Sequence, residues 1–170
     1  MPLAAGGHGA MRFVIVSLLV AVAACHAPAR HLERGEHAPV FVLSRLDGVP
    51  LRFPDDVRGR PLIIRFWADT CPFCEKELRD IEALHLRYGS ASVAILTVNV
   101  GQSPAKIAEV VKRNHLTYPV LVDEESSVAR LYGVVALPTA FFVGRDGTVH
   151  AKLLGSVTPE TFERMLLEIM

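Results

Sequence analysis

The segment from Pro61 to Cys74 constrains this chain more than any other. Pro61-Leu-Ile-Ile-Arg-Phe-Trp67 is rich in β-branched and aromatic residues and is bounded by Gly59 and by the polar pair Asp69-Thr70. Such a run predicts a central strand buried on both faces. Directly beyond it stands Cys71-Pro-Phe-Cys74, and from Pro72 the hydrophobic period changes. Phe73, Leu78, Ile81, Leu84 and Leu86 recur at roughly helical spacing up to Tyr88-Gly89, where the glycine predicts a stop. Two cysteines at a strand-to-helix junction carry chemistry as well as structure. The reactive species is the thiolate, and the free N–H groups and positive dipole end of a first helical turn favour an anion. An ordinary cysteine of pKa ~8.5 is only ~3% ionised at pH 7, whereas ~6.5 would give ~75% thiolate. A spacing of three places Cys74 one turn beyond Cys71, so the sulfurs can close a small ring and Cys74 can resolve a mixed disulfide formed by Cys71. Pro72 lacks an N–H in a turn that requires none.

Three other uses of the pair are weaker. A zinc site wants four ligands, and the sequence has no second Cys pair and no His-X-X-X-His beside this one. A c-type haem attachment needs His directly after the second Cys, where Glu75 stands. A purely structural disulfide is compatible with the spacing, but a pair at a helix N-terminus has raised reactivity. His115 and His150 lack partners at metal spacing and read as surface residues.

Around this junction the elements alternate. Pro39–Leu43 and Leu51–Phe53 flank Leu46-Asp-Gly-Val49 and predict a β-hairpin. Val93–Val98 is the next strand, and a helix spans Pro104 to His115 with Ser103 as its cap. Tyr118–Val122 predicts a strand and Glu124–Tyr132 a short helix. Thr139–Gly144 and Thr148–Leu154 are strands joined by Arg145-Asp-Gly147, and a last helix starts at Thr158 with Pro159 first. The order β-β-β-α-β-α-β-α-β-β-α mixes crossovers with hairpins and predicts a three-layer α/β domain with a mixed sheet.

Length and charge bound the function. The 170 residues have room for one domain, and 51% of them are hydrophobic. Lys plus Arg (18) equals Asp plus Glu (18), with no basic run, so nucleic-acid binding has no electrostatic footprint. Phe13–Ala24 is an apolar run broken only by Ser17 and preceded by Arg12. It is shorter than the ~20 residues of a membrane span and suits a signal-peptide core of ~7–15. A signal starting at Met11 would be complete, and a short anchor or buried helix is the alternative. Val22-Ala-Ala-Cys25 resembles the lipobox of bacterial lipoproteins, in which the Cys is lipidated. Lipidation of Cys25 would account for an odd third cysteine; cleavage that leaves a free thiol is the plainer reading. The expected organisation is a signal over residues 1–25, a polar tether over 26–37 and one domain over 38–170.

On these motifs the chain resembles the thioredoxin superfamily, and more closely its TlpA/ResA-like branch with the CcmG-type proteins. The resemblance rests on Ile63–Cys74, Lys76-Glu-Leu78, Val98-Asn-Val-Gly101, Tyr118–Asp123 and Tyr132–Phe142 with Asp146-Gly147. It implies a thioredoxin fold with an added N-terminal β-hairpin, export with a membrane anchor, and no cofactor or metal. It implies that Cys71 attacks and Cys74 resolves. It also implies that Pro138 is a cis-proline beside the disulfide, and that Trp67, Pro72, Phe73 and Leu137 lie against the client; by residue type alone Pro138 reads as a strand-entry proline and Trp67 as a core residue, which is compatible with a place beside the site. Glu77 matches an acid that tunes the pair's protonation; the residue alone reads as a solvated glutamate near a helix start. The implied activity is reduction of protein disulfides outside the cytoplasm, for example in apocytochrome c, with re-reduction by a membrane donor of CcdA or DsbD type. A Sco-like copper chaperone would need a longer CXXXC and a distant His, and a peroxiredoxin-like peroxidase would need a lone Cys after Thr-X-X. Arg65 departs from the branch, where an acid or asparagine is usual. It is expected either to pair with an acid such as Glu77, to lower the Cys71 pKa, or to reach solvent along its stem.

Overall fold

The computed structural model describes residues 31–170. The proposed signal, with Met11 and Cys25, lies outside the described residues, as do positions 26–30. The elements run β1 (Phe41–Arg45), β2 (Pro50–Phe53), β3 (Leu62–Trp67), α1 (Cys74–Ser92), β4 (Ala94–Val100), α2 (Pro104–Asn114), β5 (Val120–Asp123), α3 (Ser127–Leu131), β6 (Thr139–Val143), β7 (Val149–Leu154) and α4 (Pro159–Leu167). This is the order the sequence predicts, with one 3-10 turn, Asp55–Val57, added before β3.

The strands form one seven-stranded sheet in the order β2-β1-β5-β4-β3-β6-β7. β3, β4 and β5 are parallel neighbours, which is why helices α1 and α2 must cross between them. β6 and β7 return antiparallel on one side, and the hairpin β1–β2 adds antiparallel to β5 on the other. All six residues of β3 are buried, and their side chains alternate between two cores. Ile63 and Trp67 join Ile81, Ile107, Val110, Phe162 and Leu166 beneath α1, α2 and α4. Leu62, Ile64 and Phe66 face the opposite layer with Phe41, Phe53, Val128 and Tyr132. Each such large apolar side chain contributes roughly 1.5–3 kcal/mol when it leaves water. The second core is aromatic: the Tyr132 ring packs on Phe66 at 5.5 Å, Phe141 at 5.4 Å and Phe41 at 5.9 Å. Its hydroxyl donates to Pro39 O at 2.7 Å, which fastens the end of α3 to the base of the hairpin.

Four local readings change. α1 begins at Cys74, so Cys71–Phe73 form a turn ahead of the helix. Gly89, with φ 70° and ψ 154°, does break the helical geometry where a stop is predicted, but helical residues resume to Ser92. Ser103 occupies the cap position of α2 without a side-chain capping bond, whereas the Thr158 hydroxyl accepts from Thr161 N at the start of α4. Part of the expected tether is not a tether: Leu32 is buried in the aromatic core, and Gly35 N donates to Val149 O at 2.8 Å while Val149 N donates to Glu36 O at 2.8 Å. The apolar Leu32 side chain and the open edge of β7 give this stretch something to bind.

Asp123 ends β5 fully buried, and its carboxylate accepts from Ser127 Oγ (3.0 Å), Val128 N (3.2 Å) and Ala129 N (2.8 Å). Five-residue α3 is too short to persist by itself, so this carboxylate supplies the partners that its first turn lacks. Asp123→Ala leaves those donors unpaired and is expected to cost about 1–3 kcal/mol. Urea unfolding checks it: the midpoint should fall with the slope unchanged.

Candidate functional site

β3 delivers the chain to the open end of the sheet at Trp67. The turn that follows is closed by Cys71 N donating to Ala68 O (3.2 Å) and Cys74 N donating to Cys71 O (3.1 Å). Cys71 and Cys74 are joined as a disulfide with Cα atoms 5.4 Å apart. The bond keeps the Cys71 sulfur beside the first turn of α1, whose N–H groups and dipole favour a thiolate after reduction. The two sulfurs are not equivalent. Cys71 is 9% exposed and borders a groove, while Cys74 is 2% exposed and packed in the core. The first sulfur is open to the groove and the second is shielded from it.

The surrounding loops are tied together. Gln102 Oε1, after β4, accepts both from Asp69 N and from Asn99 Nδ2 at 2.8 Å. Lys106 of α2 pairs with Asp69 at 3.0 Å, and Arg113 bridges to Glu75 at 3.1 Å. The Arg113 guanidinium holds the Glu75 carboxyl below its ordinary range, and so does Asn114. No spacing or composition along the chain marks Asn99, Gln102 or Lys106 as part of this site. Val98-Asn-Val-Gly101 was among the resembling segments, but its contact with the Cys turn is a tertiary fact.

The groove, about 540 Å³, runs from Cys71, Pro72 and Phe73 to Ala129 and the segment Val134–Leu137. Phe73 (66%) and Val135 (66%) stand exposed at its rims. The Leu137–Pro138 peptide bond is cis, as the resemblance implies. Thr139 Oγ1 donates to Ala136 O (2.7 Å), and Pro138 O accepts from Gly155 N (2.8 Å). Among the described residues no hydrogen bond engages the backbone of Leu137. Trp67 takes the core place that its residue type allows: at 1% exposure it packs in one cluster with both cysteines, beside the site, and does not line the groove against which a client contact was expected.

Behind the pair lies a buried charge. Strand alternation turns Arg65 to the same face as Ile63 and Trp67, under α1. Its Nη2 meets Glu77 Oε2 in an ion pair, and both side chains are almost wholly inaccessible. The guanidinium also sits 5.9 Å over the Phe162 ring, and Glu77 Oε1 accepts from Val157 N at 3.4 Å. Neither side chain is solvated: Arg65 does not reach water, and Glu77 is not the exposed glutamate its position alone indicates. Desolvation pushes the Arg65 guanidinium down to about 9, with Tyr118 opposing, so it stays charged at neutral pH. Among the described residues no three His, Cys, Asp or Glu side chains are grouped to hold a metal ion.

A thioredoxin fold with a Cys-X-X-Cys disulfide at the head of α1 and a cis-proline loop opposite defines a thiol–disulfide oxidoreductase. Residues 34–152 match the AhpC/TSA family. The chain is 34% identical over 165 residues to the thiol-disulfide oxidoreductase ResA of Geobacillus thermodenitrificans, covering 94% of each chain. It is 27% identical to the sporulation thiol-disulfide oxidoreductase A of Bacillus subtilis over 151 residues, covering 86% of this chain and 90% of that one. The crystal structure of StoA from Bacillus subtilis superposes with a TM-score of 0.66 at 26% identity, over 81% of this chain and 98% of that one. The Chlorobium tepidum protein described as a thiol:disulfide interchange protein DsbE gives a TM-score of 0.76 at 24% identity, over 81% and 98%, and shows the same fold. The chain therefore belongs to the AhpC/TSA family and, within the thioredoxin superfamily, to the ResA-type thiol–disulfide oxidoreductases.

A buried ion pair is worth little against an apolar replacement of equal volume, yet removing one partner strands the other. Arg65→Met or Glu77→Leu alone is expected to cost about 3–5 kcal/mol, and the double variant Arg65→Met/Glu77→Leu much less than their sum. Denaturant unfolding of the three variants checks this double-mutant cycle.

Proposed function

We propose that this protein is an exported, membrane-anchored reductase of protein disulfides, with Cys71 as nucleophile and Cys74 as resolving thiol. The unequal exposure of the two sulfurs beside an open groove carries the reading. The Cys71 thiolate attacks one sulfur of a client disulfide, and the other client sulfur leaves as a thiolate. Cys74 then loses its proton and displaces the client from Cys71, closing the protein disulfide. Two electrons and two protons pass to the client, which departs as a dithiol. The cis-Pro138 loop would hold an extended client segment through the unpaired Leu137 backbone, with Pro72 and Phe73 on the opposite rim, as one strand adds to another. Trp67 keeps a supporting role, and Glu77 acts on the pair from behind.

Apocytochrome c is the client this reading favours, with a membrane donor of CcdA or DsbD type restoring the dithiol. Support comes from the resemblance to ResA-type proteins and from an N-terminal pattern suited to export. The organisation proposed is a signal over residues 1–25, lipidation at Cys25 and a short link into the domain. No described helix is long and apolar enough to cross a membrane, so anchoring falls to the N-terminal segment.

Two measurements test the reading. Reduced Cys74→Ala protein should accumulate a covalent one-to-one complex with disulfide clients on non-reducing gels, and Cys71→Ala should form none; equal trapping by both would refute the assignment of roles. Cys25→Ala should move the protein from the membrane to the soluble fraction, and unaltered membrane association would exclude a lipid anchor at that residue.

A further inference from the structure

The ion pair behind the cysteines has a consequence for proton traffic. Glu77 lies three residues beyond Cys74, so the two share one face of α1, and both are buried on it. A buried carboxylate so placed could exchange protons with the cysteines. Here a guanidinium on the neighbouring strand is in direct contact with its carboxylate. Resting on the oxidoreductase reading, we propose that Arg65 is a positioning residue that holds Glu77 ionised throughout the neutral range, making it a fixed negative charge behind the pair and not a carrier of its protons.

The surroundings of the pair favour this. α4 brings the Phe162 ring, and the loop before it brings Val157 N–H, a donor that also favours the carboxylate. The register neighbours of Arg65 are Thr97 on β4 and Ala140 on β6, which carry no charge. Tyr118, before β5, is a titratable neighbour, and its phenol is held neutral well above its ordinary range by burial. Two more titratable groups of α1 lie around Tyr118: Glu82, buried, accepts from Thr117 N (2.8 Å) and Thr117 Oγ1, and the His85 ring stands edge-on to the phenol at 6.0 Å. The two thiols lie at the head of the same helix face. Arg65 is therefore the cation that compensates Glu77, and a carboxylate deprived of it in such a place would favour its neutral form. The Arg65–Glu77 pair is neutral as a whole, so the head of α1 and the groove decide between the sulfurs, and both favour the thiolate at Cys71 over the core-buried Cys74. The negative charge of the reduced pair then rests on Cys71, the sulfur a client can reach. The proton released when Cys74 attacks goes to solvent or to the departing client thiolate.

The test follows the Glu77 carboxyl by carbon NMR in the reduced protein with labelled glutamate, the resonance being assigned by its loss in Glu77→Gln. In the wild-type protein it should show no inflection between about pH 5 and pH 8, a range centred above the ordinary glutamate value. In Arg65→Met an inflection should appear inside that range, and the pH profile of Cys71 alkylation should gain the same one. Arg65→Met/Glu77→Gln should lose it, and Arg65→Lys should restore the wild-type profile. An inflection in the wild-type resonance overturns the proposal, as does an Arg65→Met alkylation profile that superposes on wild type. Should Arg65→Met fail to fold, the wild-type titration decides alone. Failure of the oxidoreductase reading would show instead as no exchange between the reduced pair and glutathione, which the carboxyl titration does not depend on.

Discussion

Burial of β3 on both faces is the constraint on which the rest of this molecule depends. A strand flanked by a parallel neighbour (β4) and an antiparallel one (β6) has its backbone groups paired on each side. Its side chains must then satisfy two cores at once. Ile64 and Phe66 meet the aromatic layer under the hairpin, while Ile63, Arg65 and Trp67 lie under α1. The strand ends where the sheet opens, and the chain has nowhere to go but over the edge into a helix. That exit is what presents Cys71 to a groove and keeps Cys74 within the core.

The site is assembled from pieces far apart in the chain. The Cys turn is held by Gln102 and Lys106 from beyond β4. The opposite wall of the groove comes from the segment between α3 and β6. Its position depends on Tyr132, which ties α3 to the hairpin, and on Asp123, which satisfies the first turn of α3. Secondary elements of the sheet thus act as a frame for two loops, one carrying the sulfurs and one carrying backbone that no described residue pairs with. This division is why a disulfide with only modest exposure can still be a site of exchange.

Much of this was legible in the residues. β-Branched runs and the Asp-Gly turns predicted every strand, because a strand that packs on both faces needs that composition wherever it lies. The order of elements held, and so did the place of the cysteines at a strand-to-helix junction. Boundaries were less legible. The start of α1 moved from Pro72 to Cys74 because the turn bonds from Cys71 and Cys74 depend on closing the loop, not on the proline. Leu32 is not legible as part of the domain because a single apolar residue among polar ones has no period to reveal it, and only the neighbouring edge of β7 holds its stretch in place.

Arg65 and Glu77 show most clearly where local information ends. Each by itself reads as a solvent-facing charge, since most arginines and glutamates are exposed. Their pairing, one of the three options that the departure at Arg65 left open, joins the centre of β3 to the first turn of α1, and no periodicity marks it. The elements, their order and the pair of sulfurs can be written down from the residues alone, because those follow from composition and spacing along the chain. Which charges are buried, how deep each sulfur lies beside the groove and which loop stands opposite follow only from the packing, because burial and proximity are properties of the packed layers and of no single segment.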